Sequence, residues 1–311
     1  MFSRRTEHDP TPNALARAAT ALRATGATLL DLTESNPTLA GIEHDADAIV
    51  RALADPAALT YRPEPLGLPS ARAAVAADWA ELGVTIDPAR IVLTASTSEA
   101  YSFLLATLCD SHDEILVPAP GYPLFAQLAQ LAGVHVAHYP LRLERGRWVL
   151  DAAAVYDAIC ERTRAIVVVS PNNPTGTWLD EDCAEALAAL GLPLISDEVF
   201  ARYPLEGASD GRASLLAAPR ETLCFALGGL SKAAALPQMK LAWIGIDGPE
   251  HLVQPALERL ELLGDSFLSV CTPVQVAALA LLAVVVDDSA DSVSAFLRSY
   301  EHHLPDRLSW R

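Results

Sequence analysis

A chain of 311 residues is long enough for two domains or one large one, at roughly 100–200 residues per domain. It is 51% hydrophobic and 20% charged, which supports a sizeable buried core and excludes a disordered chain. Its 22 Lys and Arg face 39 Asp and Glu, a formal net charge of −17. That field repels phosphate backbones and anionic lipid surfaces, so an anionic ligand needs a local site of its own.

The five cysteines (109, 160, 183, 224 and 271) are odd in number, widely spaced and never in a CxxC pair. Neither a disulfide framework nor a zinc ribbon can be read from them. The start has basic residues but no apolar stretch behind them, so no signal peptide is expected. The longest apolar run, residues 276–286, is eleven residues long, far short of the ~20 that a membrane helix needs. A reducing cytoplasm is the expected compartment, with neither nucleic acid nor membrane as partner.

In chain order, residues 11–25 are Ala-rich with a helical pattern broken at Gly26, and 29–32 read as a short strand. From residue 68 a regular alternation begins. Helix is expected at 68–82, strand at 91–93, helix at 98–108, strand at 114–117, helix at 122–131 and strand at 134–138. Helix follows at 153–161, strand at 165–169, helix at 180–190, and strands at 193–196, 224–226 and 241–246. Helices at 249–263 and 274–286 close the pattern. Short, continuous apolar strands between helices predict a mostly parallel sheet covered on both faces.

In such sheets a ligand lies beyond the carboxyl ends of the strands, so the residues just after each strand carry the functional expectation. After 91–93 come Ser96, Thr97 and Ser98 at a helix start, suited to capping it or to binding a phosphate. After 114–117, Pro118-Ala119-Pro120-Gly121-Tyr122-Pro123 is a rigid turn presenting one aromatic ring. After 165–169, Ser170-Pro171-Asn172-Asn173-Pro174-Thr175-Gly176 is a fixed loop with projecting amides. Asp197 and Glu198 end the next strand in apolar surroundings, where a bare carboxylate is costly without a cationic or N–H partner. Lys232 follows in the turn Gly228-Gly229-Leu230-Ser231-Lys232. Each feature alone has an ordinary structural explanation. Together they supply a phosphate cradle, an aromatic plate, an amide, a carboxylate and an amine, the set that pyridoxal 5′-phosphate requires.

On these elements the chain resembles the class I/II aminotransferases of pyridoxal-phosphate fold type I, from about residue 32 to about 282. The most specific strings are Asn172-Asn173-Pro174-Thr175-Gly176, Ser196-Asp197-Glu198-Val199 and Leu230-Ser231-Lys232. The resemblance implies an α/β large domain on a mostly parallel sheet of the seven-stranded type. It places an N-terminal arm and small-domain segment at 1–44, the large domain at 45–265, and a linking helix with the start of a small domain at 266–311. It implies Lys232 as the Schiff-base lysine, Asp197 as partner of the pyridine nitrogen, and Asn173 as donor to the cofactor's 3-oxygen. Tyr122 takes the stacking position, and Ser96, Thr97, Ser98 and Ser231 fall among the residues that surround the cofactor. Tyr61 matches the tyrosine that reaches the neighbouring subunit's phosphate, which implies a homodimer with shared sites. Asn36 and Asn173 would border the substrates, an amino acid and a 2-oxo acid.

Four departures bear on that expectation. Phe200 stands where the family usually has a Tyr that donates to the 3-oxygen, so one stabiliser of the phenolate is missing. Lys240 stands where an Arg commonly clamps the phosphate, and offers a point donor without the planar fork. Gly229 occupies the place of a phosphate-contacting Ser. With the chain ending at Arg311, most of the C-terminal small domain is expected to be absent. None of Arg298, Arg307 and Arg311 lies in a recognisable version of the carboxylate-binding arginine's motif. The expected activity is transamination. The alternatives are a lyase or decarboxylase on the same cofactor, and a cofactor-binding remnant with impaired turnover.

Overall fold

The computed structural model describes residues 2–7, 9–27, 29, 36–39, 44–203 and 214–283. Its elements begin with helices α1 (Ala14–Ala24), α2 (Ala46–Leu53) and α3 (Pro69–Glu81). The alternating part runs β1 (Ile91–Thr94), α4 (Thr97–Leu108), β2 (Glu114–Ala119), α5 (Leu124–Ala132) and β3 (His135–Pro140). Next come β4 (Arg142–Glu144), β5 (Arg147–Val149), α6 (Ala152–Ala158), β6 (Thr163–Val169), α7 (Glu181–Ala188) and β7 (Leu194–Asp197). The last are β8 (Cys224–Gly229), α8 (Leu230–Ala233), β9 (Ala242–Asp247), α9 (Glu250–Phe267), α10 (Thr272–Val276) and α11 (Ala278–Ala283).

Seven strands form one sheet in the order β1-β9-β8-β7-β6-β2-β3. The pairs β2–β3, β2–β6, β6–β7 and β7–β8 are parallel, whereas β9 runs antiparallel to both β8 and β1. The expected mostly parallel α/β sheet is therefore what forms, with β9 as its one reversed strand. The apolar pattern of 241–246 could not announce that reversal, because period-2 burial is the same in either direction.

Side chains alternate across the sheet into two cores. Ile91, Leu93, Ile166, Val168, Cys224, Ala226 and Trp243 face one of them, with Val75 and Trp79 of α3, Leu187 of α7 and Leu281 of α11. Val92, Val167, Phe225, Leu227, Ile244 and Ile246 face the other, with Leu104 of α4, Phe125 of α5 and Leu260 of α9. Both faces are apolar and covered, which is why these strands read as continuous hydrophobic runs.

Local departures have local causes. The β4–β5 hairpin was not expected from the sequence; its two-residue turn, Arg145 (φ 49°) and Gly146 (φ 82°), has both positions left-handed, as a type I′ connection requires. The helix expected at 274–286 is two pieces, α10 and α11, separated at Ala277. Of the strand expected at 29–32 only Leu29 is described, and residues 284–311, with Arg298, Arg307 and Arg311, lie outside the described residues. Among the described residues, no helix is long and apolar enough to cross a membrane.

The strand register sets up the functional edge. Asp197 pairs with Val169 on one side and Leu227 on the other, and Ala242 pairs with both Gly229 and Thr94. The ends of β1, β6, β7 and β8 and the beginning of β9 thus lie along one side of the sheet. Packing of the reversed strand is tight. Trp79 and Trp243 meet edge to face at 6.4 Å, and a Cβ on Gly245 would come within 2.2 Å of the Trp79 ring. Gly245→Ala should therefore destabilise the protein by about 1–3 kcal/mol through overpacking. Urea unfolding followed by tryptophan fluorescence checks this, and an unchanged midpoint would contradict the packing argument.

Candidate active site

A cleft of about 680 Å³ opens at this edge. Thr97, Tyr122, Asn173, Asp197, Ser231 and Lys232, six of the residues expected from the sequence, line it together. They come from five different strand ends, those of β1, β2, β6, β7 and β8, brought together by the sheet register rather than by nearness in sequence. Phe200 also lines the cleft, and Val169, Gly229 and Ala242 form its floor.

The phosphate-binding expectation rests on the start of α4. Ser96 is its N-cap, and its hydroxyl accepts from the Glu99 N–H at 3.2 Å. Glu99 returns the favour one residue earlier, its Oε2 accepting from the Ala95 N–H at 2.6 Å. This variant of a capping box fixes the helix start and leaves the N–H groups of Thr97 and Ser98 without intrahelical acceptors. Ser96 is thus committed to the cap, and Thr97 is the hydroxyl of the three that reaches the cleft lining.

The asparagine loop holds itself. Asn172 Nδ2 donates to Thr175 Oγ1 at 2.8 Å and to the Pro120 carbonyl at 3.2 Å. Its backbone N–H donates to the Thr177 carbonyl at 2.7 Å. Asn172 is the clamp, and the half-buried Asn173 is left to face the cleft.

Asp197 is 6% exposed. Its Oδ2 accepts from the Tyr101 hydroxyl at 3.1 Å, and its Oδ1 from the Val199 N–H at 3.3 Å. Burial pushes its pKa up to about 6, and those two hydrogen bonds only partly oppose the rise. Glu198, next along, is also pushed up by burial, but it is occupied elsewhere, accepting from the Leu215 N–H at 2.8 Å.

Lys232 sits on α8 directly after the end of β8, with its Nζ 5.5 Å from the centroid of the Phe200 ring. Tyr203 does not substitute for the missing phenol at 200, because its hydroxyl donates to the Lys232 carbonyl at 2.7 Å. Besides Ser96 and Ser98, three expected residues stand outside the cleft lining. Lys240 is exposed and left-handed (φ 52°) at the end of the turn Pro237–Met239. Tyr61 is 73% exposed and lines a separate depression. Asn36 uses its Oδ1 to accept from Thr38, at 3.1 Å from N and 2.7 Å from Oγ1. Tyr101 was missed in the sequence. Its signal was the i, i+4 spacing from Thr97, which places both on one face of α4.

The residues present fit pyridoxal phosphate. A buried acid with a raised pKa opens onto the cleft, and a ring nitrogen carrying a proton would relieve it. A helix N-terminus with spare N–H groups suits a phosphate, and Tyr122 offers a ring beside them.

Comparison with known proteins agrees with this geometry. The family profile described as aminotransferase class I and II matches residues 27–303. Alanine aminotransferase of Mycobacterium tuberculosis is 32% identical over 265 residues, covering 83% of this chain and 61% of that protein. Glutamate-pyruvate aminotransferase AlaA of Haemophilus influenzae is 29% identical over 267 residues, covering 83% and 65%. The solved alanine aminotransferase of Pyrococcus furiosus superposes with a TM-score of 0.77 at 26% identity, covering 91% of this chain and 72% of that one. The chain thus spans a little over three fifths of the length of these curated relatives.

The buried acid has a measurable cost in the cofactor-free protein. An unfolded aspartate releases its proton near 3.8 and the folded one near 6, so stability falls as pH rises between those values and stays lowered above them. The full effect is about 3 kcal/mol. Asp197→Asn should raise the unfolding midpoint of the cofactor-free protein at pH 8, with the gain shrinking toward zero by pH 4. No gain at pH 8 would contradict the burial argument.

Proposed function

Since the chain belongs to the class I and II aminotransferase family, we propose that it binds pyridoxal 5′-phosphate in this cleft. The proposed reaction moves an amino group between an amino acid and a 2-oxo acid. The observation that carries this reading is the convergence of Lys232, Asp197, Asn173 and Thr97 on one cleft. Bound there, the cofactor supplies an aldehyde that condenses with amines and a ring that takes up the electron pair left at a substrate's α-carbon.

Each residue then has a task. Asp197 accepts the ring nitrogen's N–H and keeps that nitrogen positively charged. The α4 N-terminus and the Thr97 hydroxyl take the phosphate, and Lys240, outside the cleft lining, offers only a positive charge. Asn173 donates to the 3-oxygen, a duty that falls on it more heavily because Phe200 has no hydroxyl. Tyr122 covers one face of the ring. Lys232 would hold the cofactor's aldehyde through its Nζ, and the same amine would serve as the base for the proton on a substrate's α-carbon.

The exposed Tyr61 and its neighbour Arg62 support a homodimer in which the partner's Tyr61 completes the phosphate site. Asn36 is assigned to the substrate border. The names of the relatives make alanine with 2-oxoglutarate, and glutamate with pyruvate, the first pairs to test.

Protein loaded with pyridoxal phosphate should show a visible absorption band that alanine or glutamate bleaches, with one equivalent of 2-oxo acid formed and no ammonia released. Lys232→Ala should lose the bleaching and at least about 10³-fold of the turnover, as removal of a covalent and proton-transferring group does. Binding without bleaching across a panel of amino acids would overturn the transfer reading, and release of ammonia would point to a lyase.

A further inference from the structure

The Tyr101 hydroxyl donates a hydrogen bond to Asp197, and the roles assigned above make no use of it. It is 3% exposed, and its ring lies edge-on against Phe125 with centroids 5.2 Å apart. Packing alone would be served equally well by phenylalanine. The hydroxyl, however, points at Oδ2 of the acid that ends β7, at 3.1 Å. Burial and the Asp197 charge push the Tyr101 pKa well above its ordinary value, so at neutral pH the group is a permanent donor.

Among the described residues, several groups surround Asp197. From its own connection comes the Val199 N–H, on Oδ1. From α4 comes Tyr101. Across the cleft stand Lys232 and Tyr122, and the Glu198 carboxyl is adjacent in the chain but bonded to Leu215. With one donor on each oxygen the carboxylate plane is held, while the residue remains part of the cleft lining. Tyr101 also follows Thr97 by four residues on α4, so a single helical turn carries both the cleft-lining hydroxyl and the support of the acid.

We propose that Tyr101 is a positioning residue for the cofactor. Its hydroxyl holds the Asp197 carboxylate in the orientation that receives the ring nitrogen's N–H, and favours that proton staying on the nitrogen. α4 thereby sets the distance between the phosphate end and the nitrogen end of the site. This role rests on the function proposed above.

Tyr101→Phe removes the hydroxyl and keeps the ring against Phe125. A donor lost from a carboxylate raises its proton affinity, by roughly tenfold for a charge-assisted bond. In the cofactor-free variant the Asp197 side-chain carbon should therefore titrate about one pH unit above wild type by carbon-13 NMR. With nitrogen-15-labelled pyridoxal phosphate bound, the ring-nitrogen signal should move toward its unprotonated position. An analogue with C–H in place of the ring nitrogen should bind wild type and variant within about twofold of each other, since a missing nitrogen cannot feel the hydroxyl. Unchanged titration and an unchanged nitrogen signal, with cofactor binding intact, would overturn the role of Tyr101 alone. So would equal weakening of both compounds, which would mark a packing defect. If wild type binds neither compound, the cofactor reading itself falls, and this role with it.

Discussion

Ending β7 on Asp197 obliges the fold to keep an ionisable group where water is scarce, and much of the surrounding structure answers that demand. The parallel neighbours β6 and β8 pair with Val169 and Leu227 opposite the acid, so its backbone is locked into the ladder. The Ser170 N–H donates to its carbonyl at 2.9 Å. A backbone N–H and a phenol serve the carboxyl oxygens without discharging the cost of burial, which is why the pKa remains high. A group held in this state accepts a proton-bearing nitrogen more readily than a solvated aspartate does. In the proposed function this destabilised acid favours a proton-bearing ring nitrogen, and the rigid sheet is what lets the acid persist.

The strand-end positions were legible in the sequence because each apolar run stops abruptly at polar residues of unusual kind: Asn172-Asn173-Pro174, Asp197-Glu198, Ser231-Lys232. Once a parallel sheet is inferred, those ends must share an edge. Direction and long-range pairing were less legible. Nothing in Leu241-Ala242-Trp243-Ile244 says that the strand runs backwards between β8 and β1. The β4–β5 hairpin was hidden because both of its strands are largely exposed and carry no core-facing alternation. Tyr101 was hidden for the opposite reason. It sits in an apolar helical stretch, where an aromatic reads as core, and its hydroxyl matters only because β7 ends beside it.

Two substitutions relative to the family shift work onto other groups. Phe200 places hydrocarbon against Lys232, so the amine meets a ring face instead of a phenol. Lys240 is exposed, so in the proposed function the backbone of the α4 start would be the chief holder of the phosphate in a chain of net charge −17. The Ser96–Glu99 cap gives those backbone N–H groups a fixed direction, which flexible surface cations lack.

The reversal of β9 has one more effect. After β8 the chain must turn round within the span from Leu230 to Leu241, and the Leu230 N–H donates to the Leu241 carbonyl at 2.9 Å. Inside that closed segment the Leu236 N–H donates back to the Leu230 carbonyl at 2.9 Å, and Ala235 is left-handed at φ 53°. His44 Nε2 lies 3.1 Å from the Ala234 carbonyl, and the Tyr203 hydroxyl meets that of Lys232. The lysine is therefore mounted on a buckle whose two ends are stitched to adjacent strands. These bonds hold its main chain, so the travel open to the amine lies in its four methylene groups, a short tether anchored at one point.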